Sequence, residues 1–87
     1  MVSQKTTVVN AEGFHMRPAG VFANAMGKYK CDVYLNVNGN RVNGKSLMNI
    51  IAACIKCGTE VEVECSGEDE NEALAKAIEL IDSGLGD

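Results

Sequence analysis

The sequence contains no tryptophan, a single proline and a single histidine, and its other aromatic residues are two tyrosines and two phenylalanines. It also lacks a long hydrophobic run. No segment approaches the ~18 consecutive apolar residues of a membrane span, and the first residues do not resemble a signal peptide. We therefore expect a cytoplasmic protein that is not inserted in a membrane.

Basic residues are too few for a nucleic-acid-binding protein. The chain has 8 lysines and arginines against 12 aspartates and glutamates, for a formal net charge of -4, whereas a nucleic-acid binder normally presents a surplus of basic side chains. Most of the acidic residues fall within 60–72, and most of the basic ones precede that block. This distribution predicts a basic side of the fold that faces phosphate.

The single histidine excludes several kinds of site. The sequence has no nucleophile elbow, so it does not predict a serine or cysteine triad. A metal site at His15 is not predicted either, because the nearest other soft donor in the sequence, Cys31, is too far away for the usual ligand spacing. Residues 39–46 match G-x-x-x-x-G-K-S, but a P-loop joins a buried strand to a helix, whereas Val42 lies in a predicted hairpin strand and no Walker-B strand follows. We therefore expect no metal and no cofactor.

The four cysteines are expected to stay reduced because the chain has no secretion signal. Three of them fit strand or helix patterns as small apolar side chains. Cys54 and Cys57 form a C-x-x-C pair that is typical of redox sites or of half a zinc site, although a second pair is missing. A redox or metal module is therefore one alternative for function.

Apolar spacing and turn residues predict seven elements in the order β-α-β-β-α-β-α within one domain, residues 1–87. Strands are predicted at 2–9, 31–37, 41–43 and 59–66, with a hairpin turn at Asn38-Gly39. Helices are predicted after Pro18, Ser46 and Asp69. The pattern favours an α+β open-faced β-sandwich, in which a four-stranded, mostly antiparallel sheet is covered on one face by three helices.

Several helix boundaries follow from local signals. Gly27 and Gly58 are predicted to end the first two helices, and Ser46 is the predicted N-cap of the second. Asp69 and Glu72 are predicted to form a capping pair at the start of the third helix. The tail from Ser83 to Asp87 is expected to fray.

The stretch Gly13–Gly20 contains the best candidate for chemistry. Proline favours the first turn of a helix, so Pro18 places His15 and Arg17 where free amide groups and the helix dipole attract anions. That dipole disfavours the imidazolium form of His15, and a neutral imidazole can attack phosphorus. Arg17 could hold phosphoryl oxygens in its guanidinium fork, together with the free amides of Met16 and Arg17. These residues predict phosphate chemistry.

The second helix has a wider apolar face than a core requires. The apolar residues between Leu47 and Ile55 cover about half of the helix circumference or more. We therefore expect part of this helix to expose apolar side chains to solvent.

Two motifs give the chain a resemblance to a known family. Gly13-Phe14-His15-Met16-Arg17-Pro18-Ala19, and Val42-Asn43-Gly44-Lys45-Ser46-Leu47-Met48 further along, resemble the HPr phosphocarrier proteins of the bacterial phosphoenolpyruvate-dependent sugar phosphotransferase system. The resemblance also covers the length and the order of elements. It implies a carrier without turnover of its own, in which His15 accepts a phosphoryl group through Nδ1 from Enzyme I and passes it to sugar-specific IIA components.

The resemblance also implies roles for other residues. Arg17 would stabilise the phosphoryl group, and Ser46 would be a regulatory phosphorylation site for a dedicated HPr kinase/phosphorylase, with a transcriptional regulator as a further partner. The implied docking residues are Met16, Gly20, Leu47, Met48 and Ile51, and the protein is expected to be a monomer. A regulatory HPr-like protein that acts through phospho-Ser46 is the second alternative for function.

Overall fold

Seven elements follow one another in the predicted order of strand, helix, strand, strand, helix, strand, helix. The computed structural model describes residues 1–85. Its strands are β1 Val2–Thr7, β2 Asp32–Val37, β3 Asn40–Asn43 and β4 Glu60–Ser66, and its helices are α1 Met16–Met26, α2 Leu47–Ala52 and α3 Glu70–Asp82. Within residues 1–85, no helix has the length and apolar character needed to cross a bilayer.

The strands form one sheet in the order β1-β4-β2-β3, and every neighbouring pair is antiparallel. Along β4, Val61, Val63 and Cys65 are fully buried, while the glutamates between them lie on the opposite face. This alternation gives the sheet one face covered by helices and one open polar face. The predicted open-faced α+β sandwich is confirmed.

The hairpin between β2 and β3 is the predicted one. Asn38 and Gly39 have φ values of 51° and 81°, the left-handed conformations that a two-residue hairpin turn of this kind requires. Val37 pairs with Asn40 directly across the turn. The Asn-Gly signal therefore fixes the strand register locally.

Helix α1 packs its apolar face into the core. Phe22, Met26 and Ala19 are completely buried, and the Phe22 ring meets the Phe14 ring edge to face with centroids 5.6 Å apart. Gly27 ends the helix as predicted, in a right-handed conformation. Because Phe14 lies just before the helix, this ring pair anchors the loop that leads into α1.

Helix α2 is shorter than predicted. It ends at Ala52 with Ala53 as its C-cap, and Cys54 takes a left-handed φ of 53°, so Gly58 does not terminate it. The early end lets Ile55 become buried and offers the Ile55 carbonyl to the amide of Phe14 at 2.9 Å. The tertiary contact overrides the helical spacing of the sequence.

The predicted capping pair at the start of α3 is wrong. The Asp69 side chain does not cap the helix; its carboxylate accepts the backbone N–H groups of Lys30 and Cys31, each at 2.9 Å. Glu70 instead accepts the N–H of Gly67 at 3.1 Å. Asp69 therefore ties the start of α3 to the chain that enters β2.

The predicted fraying of the tail is also wrong for its described part. Gly84 has a φ of 87°, and the Leu85 N–H donates to the Leu80 carbonyl at 2.8 Å, which is a Schellman arrangement. Leu85 is completely buried in the core. Residues 86 and 87 lie outside the described residues.

Candidate functional site

A tight turn precedes α1 and fixes the approach to His15. The Gly13 N–H donates to the Asn10 carbonyl at 3.0 Å, and the buried Asn10 side-chain amide donates to the Gly13 carbonyl. Gly13 has a φ of 66°, and a Cβ at this position would lie 2.3 Å from the Ile55 carbonyl oxygen. Only glycine fits this close approach, and the backbone on both sides of the turn is therefore held in place.

His15 lies at the N-cap of α1, and its side chain is 40% exposed. The ring does not cap its own helix; instead, Nε2 lies 2.9 Å from Oε2 of Glu12. A carboxylate has no proton to donate, so this contact is favourable when the proton of the ring is on Nε2. In the neutral ring, Nδ1 then carries the free lone pair.

The first turn of α1 offers donors next to this ring. The first amide to donate within the helix is that of Ala19, which bonds to the His15 carbonyl at 2.9 Å. The amides of Met16 and Arg17 precede it, and Pro18 has no N–H. Arg17 is exposed on the same turn. This arrangement can receive an anion beside the imidazole.

A shallow hollow of about 260 Å³ lies between the loop before α1 and the end of α2. Most of its lining is apolar, with Glu12, His15 and Lys56 at its polar positions; the full lining is Glu12, Phe14, His15, Met16, Ile51, Cys54, Ile55 and Lys56. The hollow places an apolar surface directly beside the imidazole.

The hollow brings together only part of the predicted site. His15, Met16 and Ile51 line it, whereas the other predicted residues, Arg17, Gly20, Ser46, Leu47 and Met48, are not among its lining residues. Helices α1 and α2 nevertheless pack against each other.

The apolar residues predicted for docking differ in exposure. Met16 and Met48 are 68% and 70% exposed, while Leu47 and Ile51 are half-buried against the core. The exposed Met48 confirms that α2 presents part of its apolar face to solvent. Gly20 has open space where a side chain would stand.

Ser46 is the N-cap of α2, as predicted. Its hydroxyl oxygen accepts the Asn49 N–H at 3.3 Å, and its backbone carbonyl accepts the Ile50 N–H at 3.1 Å. The residue is half-buried. A hydroxyl at this position supports the first turn of a helix that has only six residues.

The predicted basic, phosphate-facing side is wrong as a single surface. The Arg41 guanidinium lies on the open face of the sheet, 2.7 Å from a carboxylate oxygen of Glu64 and 3.9 Å from the centre of the Tyr34 ring. The Lys45 ammonium donates to the Tyr29 carbonyl at 2.7 Å. Lys56, by contrast, borders the hollow with His15. The basic residues are thus spread over several surfaces.

All four cysteines are free thiols, but they divide into two pairs. Cys31 and Cys65 are buried, and burial raises the pKa of both thiols, that of Cys65 to about 12. Cys54 and Cys57 are exposed, so two thiols rather than three serve as core side chains. Among residues 1–85 no three histidine, cysteine or acidic side chains are grouped to hold a metal ion.

Five residues that line the hollow were not among the predicted site residues: Glu12, Phe14, Cys54, Ile55 and Lys56. An acidic residue three positions before His15 was a weak signal for the first of them. Phe14 is next to His15 in the sequence, whereas Cys54, Ile55 and Lys56 join the hollow only through the tertiary fold, and the C-x-x-C pattern of Cys54 indicated a different kind of site.

The chain matches the family described as "PTS HPr component phosphorylation site" over residues 2–83. It is 41% identical over 76 residues to the HPr-like protein Crh of Bacillus subtilis, covering 87% of this chain and 89% of that protein. It is 33% identical over 87 residues to the phosphocarrier protein HPr of Neisseria meningitidis, covering 100% of this chain and 98% of that protein.

Solved structures show the same similarity. HPr-C-His from Thermoanaerobacter tengcongensis superposes with a TM-score of 0.96 at 30% identity, covering 100% of this chain and 98% of that one. A Bacillus subtilis Crh structure, described as a dimer with a swapping domain, superposes with a TM-score of 0.78 at 37% identity, covering 95% of each chain.

Proposed function

Because this chain belongs to the HPr family of phosphotransferase-system phosphocarriers, we propose that it accepts a phosphoryl group from phosphorylated Enzyme I on His15 and passes it to IIA components. The observation that carries the proposal is the His15 ring. It is half-exposed at the start of α1, does not cap its own helix, and has Nε2 2.9 Å from the Glu12 carboxylate, which supports Nδ1 as the nitrogen that attacks phosphorus. The family members are named as carriers, and we assign this chain no independent turnover.

Arg17 and the free amides of the first turn stabilise the transferred group in this proposal. A phosphoryl group on Nδ1 carries negative charge next to the positive end of α1 and within the same turn as the Arg17 guanidinium. Arg17 is exposed and therefore available to a group that arrives from solvent. Its fork can bond two phosphoryl oxygens at once.

The docking patch is defined here as Met16, Gly20, Leu47, Met48 and Ile51. Its two methionines are exposed and flexible, which suits a surface that binds more than one partner in turn. Gly20 leaves room for a partner side chain on α1. Enzyme I and the IIA components would bind this patch beside His15. No membrane insertion or nucleic acid is part of the proposal, and the monomer remains a prediction.

Ser46 is proposed as a regulatory phosphorylation site for an HPr kinase/phosphorylase. Its hydroxyl is at the start of α2, directly before Leu47 and Met48 of the docking patch. A phosphate at this position is electrostatically compatible with a helix start, so regulation would act on docking rather than on folding.

A second candidate is a regulatory HPr-like protein that acts through phospho-Ser46 and a transcriptional regulator. The similarity to Crh, an HPr-like protein by name, favours it. The presence of His15, with its engaged Nε2, favours the carrier over a protein with only a regulatory role.

The test is phosphorylation with purified Enzyme I and phosphoenolpyruvate, followed by mass measurement. We expect the wild-type chain to gain one acid-labile phosphate and the His15→Ala variant to gain none. The Ser46→Ala variant is the matched control and should gain the phosphate as the wild type does. A wild-type chain that gains no phosphate contradicts the carrier function.

A further inference from the structure

We propose that Glu12 is a positioning residue for phosphoryl transfer: its carboxylate holds the proton on Nε2 of His15 and stabilises the positive charge that the ring gains when Nδ1 bonds to phosphorus. This inference rests on the carrier function proposed above and assigns a role to a residue outside the motifs. Its geometric basis is the 2.9 Å contact between Glu12 Oε2 and His15 Nε2.

The position of Glu12 is set by backbone contacts on both sides. The Gly13 amide bonds to the Asn10 carbonyl at 3.0 Å, and the Phe14 amide bonds to the Ile55 carbonyl at 2.9 Å. Glu12 occupies the turn between these contacts, and His15 begins α1 one residue after Phe14. The carboxylate and the imidazole therefore approach each other from backbone that is already fixed, which limits the entropy lost when they pair.

The chemistry uses both nitrogens of the ring. Nδ1 of the neutral ring attacks the phosphorus of the donor phosphohistidine. The Nδ1–P bond forms while the donor's N–P bond breaks, and the bonding electron pair stays with the donor nitrogen. Nε2 keeps its proton throughout, so the His15 ring changes from neutral to cationic. Transfer onward to an acceptor reverses these changes, and neither step needs a further reactant.

This change of charge determines what Glu12 contributes. Against a neutral ring, the contact with an exposed carboxylate has a small net value. Against the cationic ring, the same contact becomes a charge-assisted pair, which is stronger. The interaction therefore grows along the reaction coordinate, and only such an interaction accelerates the transfer step. Glu12 and the first turn of α1 would stabilise opposite charges: the ring on one side and the phosphoryl oxygens on the other.

The decisive variant is Glu12→Gln, which keeps an acceptor oxygen and removes the charge. With phosphorylated Enzyme I as donor, we expect the maximal rate of transfer to fall about threefold, the size expected for loss of one solvent-exposed ion pair. The concentration of this chain that gives half-maximal rate should stay unchanged, because Glu12 is not part of the docking patch. The maximal rate of transfer should fall at least as far in Glu12→Ala.

The matched control is Glu68→Gln, which makes the same change in net charge at an exposed position outside the hollow. It should transfer at the wild-type rate. Ring ¹⁵N spectra of His15 add a readout that docking does not affect: the Nε2 proton should exchange with water faster in Glu12→Ala than in the wild type or Glu68→Gln.

The outcomes separate this inference from the carrier function. If the wild type takes phosphate and Glu12→Gln transfers at the same maximal rate, the role of Glu12 is overturned and the carrier function stands. A change confined to the half-maximal concentration would make Glu12 a docking residue and also overturn the inference. A wild-type chain that takes no phosphate overturns both.

Discussion

Cys54 is the residue with the least favourable backbone conformation in the site. Its φ of 53° places a side chain in the left-handed region, which costs a residue with a Cβ roughly 1–2 kcal/mol. The conformation ends α2 and lets Ile55 enter the core, where its carbonyl accepts the Phe14 amide. The strain at Cys54 therefore helps to place the loop that presents His15.

We expect Cys54→Gly to stabilise the fold. Glycine removes the left-handed penalty but loses ~0.4–1 kcal/mol through the greater freedom of the unfolded chain, which leaves a net gain of about 0.5–1 kcal/mol. The measurement is the free energy of unfolding from urea titration. Ala53→Gly is the control, because Ala53 has a right-handed φ of -72° and its replacement should destabilise the fold. Equal losses in the two variants would contradict this account.

Single residues were predictable where their chemistry is local. The Ser46 cap and the Asn38-Gly39 turn follow from groups within three residues of each other, and both are confirmed. His15 could be selected from Pro18 and the helix start that it implies. The left-handed conformation of Cys54 could not be predicted, because its cause is the burial of Ile55 against the loop before α1.

At the scale of elements, Asp69 connects α3 to β2 across the sequence. Its carboxylate accepts the amides of Lys30 and Cys31, and these backbone hydrogen bonds hold the pKa of Asp69 below its usual value. The lowered pKa means that the ionised form stabilises the fold. This stabilisation is complete above the unfolded pKa, ~3.9, and is lost as the pH falls through the lower folded value.

We therefore expect Asp69→Asn to lower the thermal unfolding midpoint at pH 7. The difference from the wild type should shrink as the pH falls below about 4. Glu72→Gln is the control. The sequence predicts a capping pair of Asp69 and Glu72, but in the structure the Asp69 carboxylate accepts the N–H groups of Lys30 and Cys31, so Glu72→Gln should lose less stability than Asp69→Asn. A capping pair would make the two variants lose similar stability, and that result would contradict the observed contacts.

Elements were predictable where burial follows a regular period. The alternation of apolar and acidic residues in β4 correctly predicted which face of the strand is buried. Helix α1 ends at Gly27, as the glycine after its apolar residues indicated. Element ends depended on contacts between distant segments. The Asp69 carboxylate accepts the N–H groups of Lys30 and Cys31, which precede it in the sequence by 39 and 38 positions. Leu85 is buried in the core although it follows the end of α3. No local pattern contains such information.

At the scale of the whole molecule, the fold combines two helices that the sequence separates by a hairpin. Helix α1 begins at the His15 site, α2 begins at Ser46, and the two helices pack against each other on the same side of the sheet. The docking patch takes residues from both. The acidic side chains of β4 lie on the opposite, open face, where Glu64 pairs with Arg41. A change at the start of α2 can therefore affect a partner that comes to His15.

We expect Ser46→Asp to weaken binding to Enzyme I about tenfold, equivalent to about 1.4 kcal/mol. An aspartate at this position still caps α2 and has a favourable interaction with the helix dipole, so stability should change by no more than about 0.5 kcal/mol. Its carboxylate must, however, lose water when a partner covers the adjacent Leu47 and Met48. Binding is measured by titration calorimetry and stability by thermal unfolding.

The control is Asn71→Asp, which adds the same charge in the first turn of α3 at an exposed position. It should bind Enzyme I as the wild type does, because α3 contributes nothing to the docking patch. Equal weakening in both variants would attribute the effect to net charge alone. If Ser46→Asp binds Enzyme I as tightly as the wild type does, a negative charge at Ser46 does not regulate transfer by weakening docking.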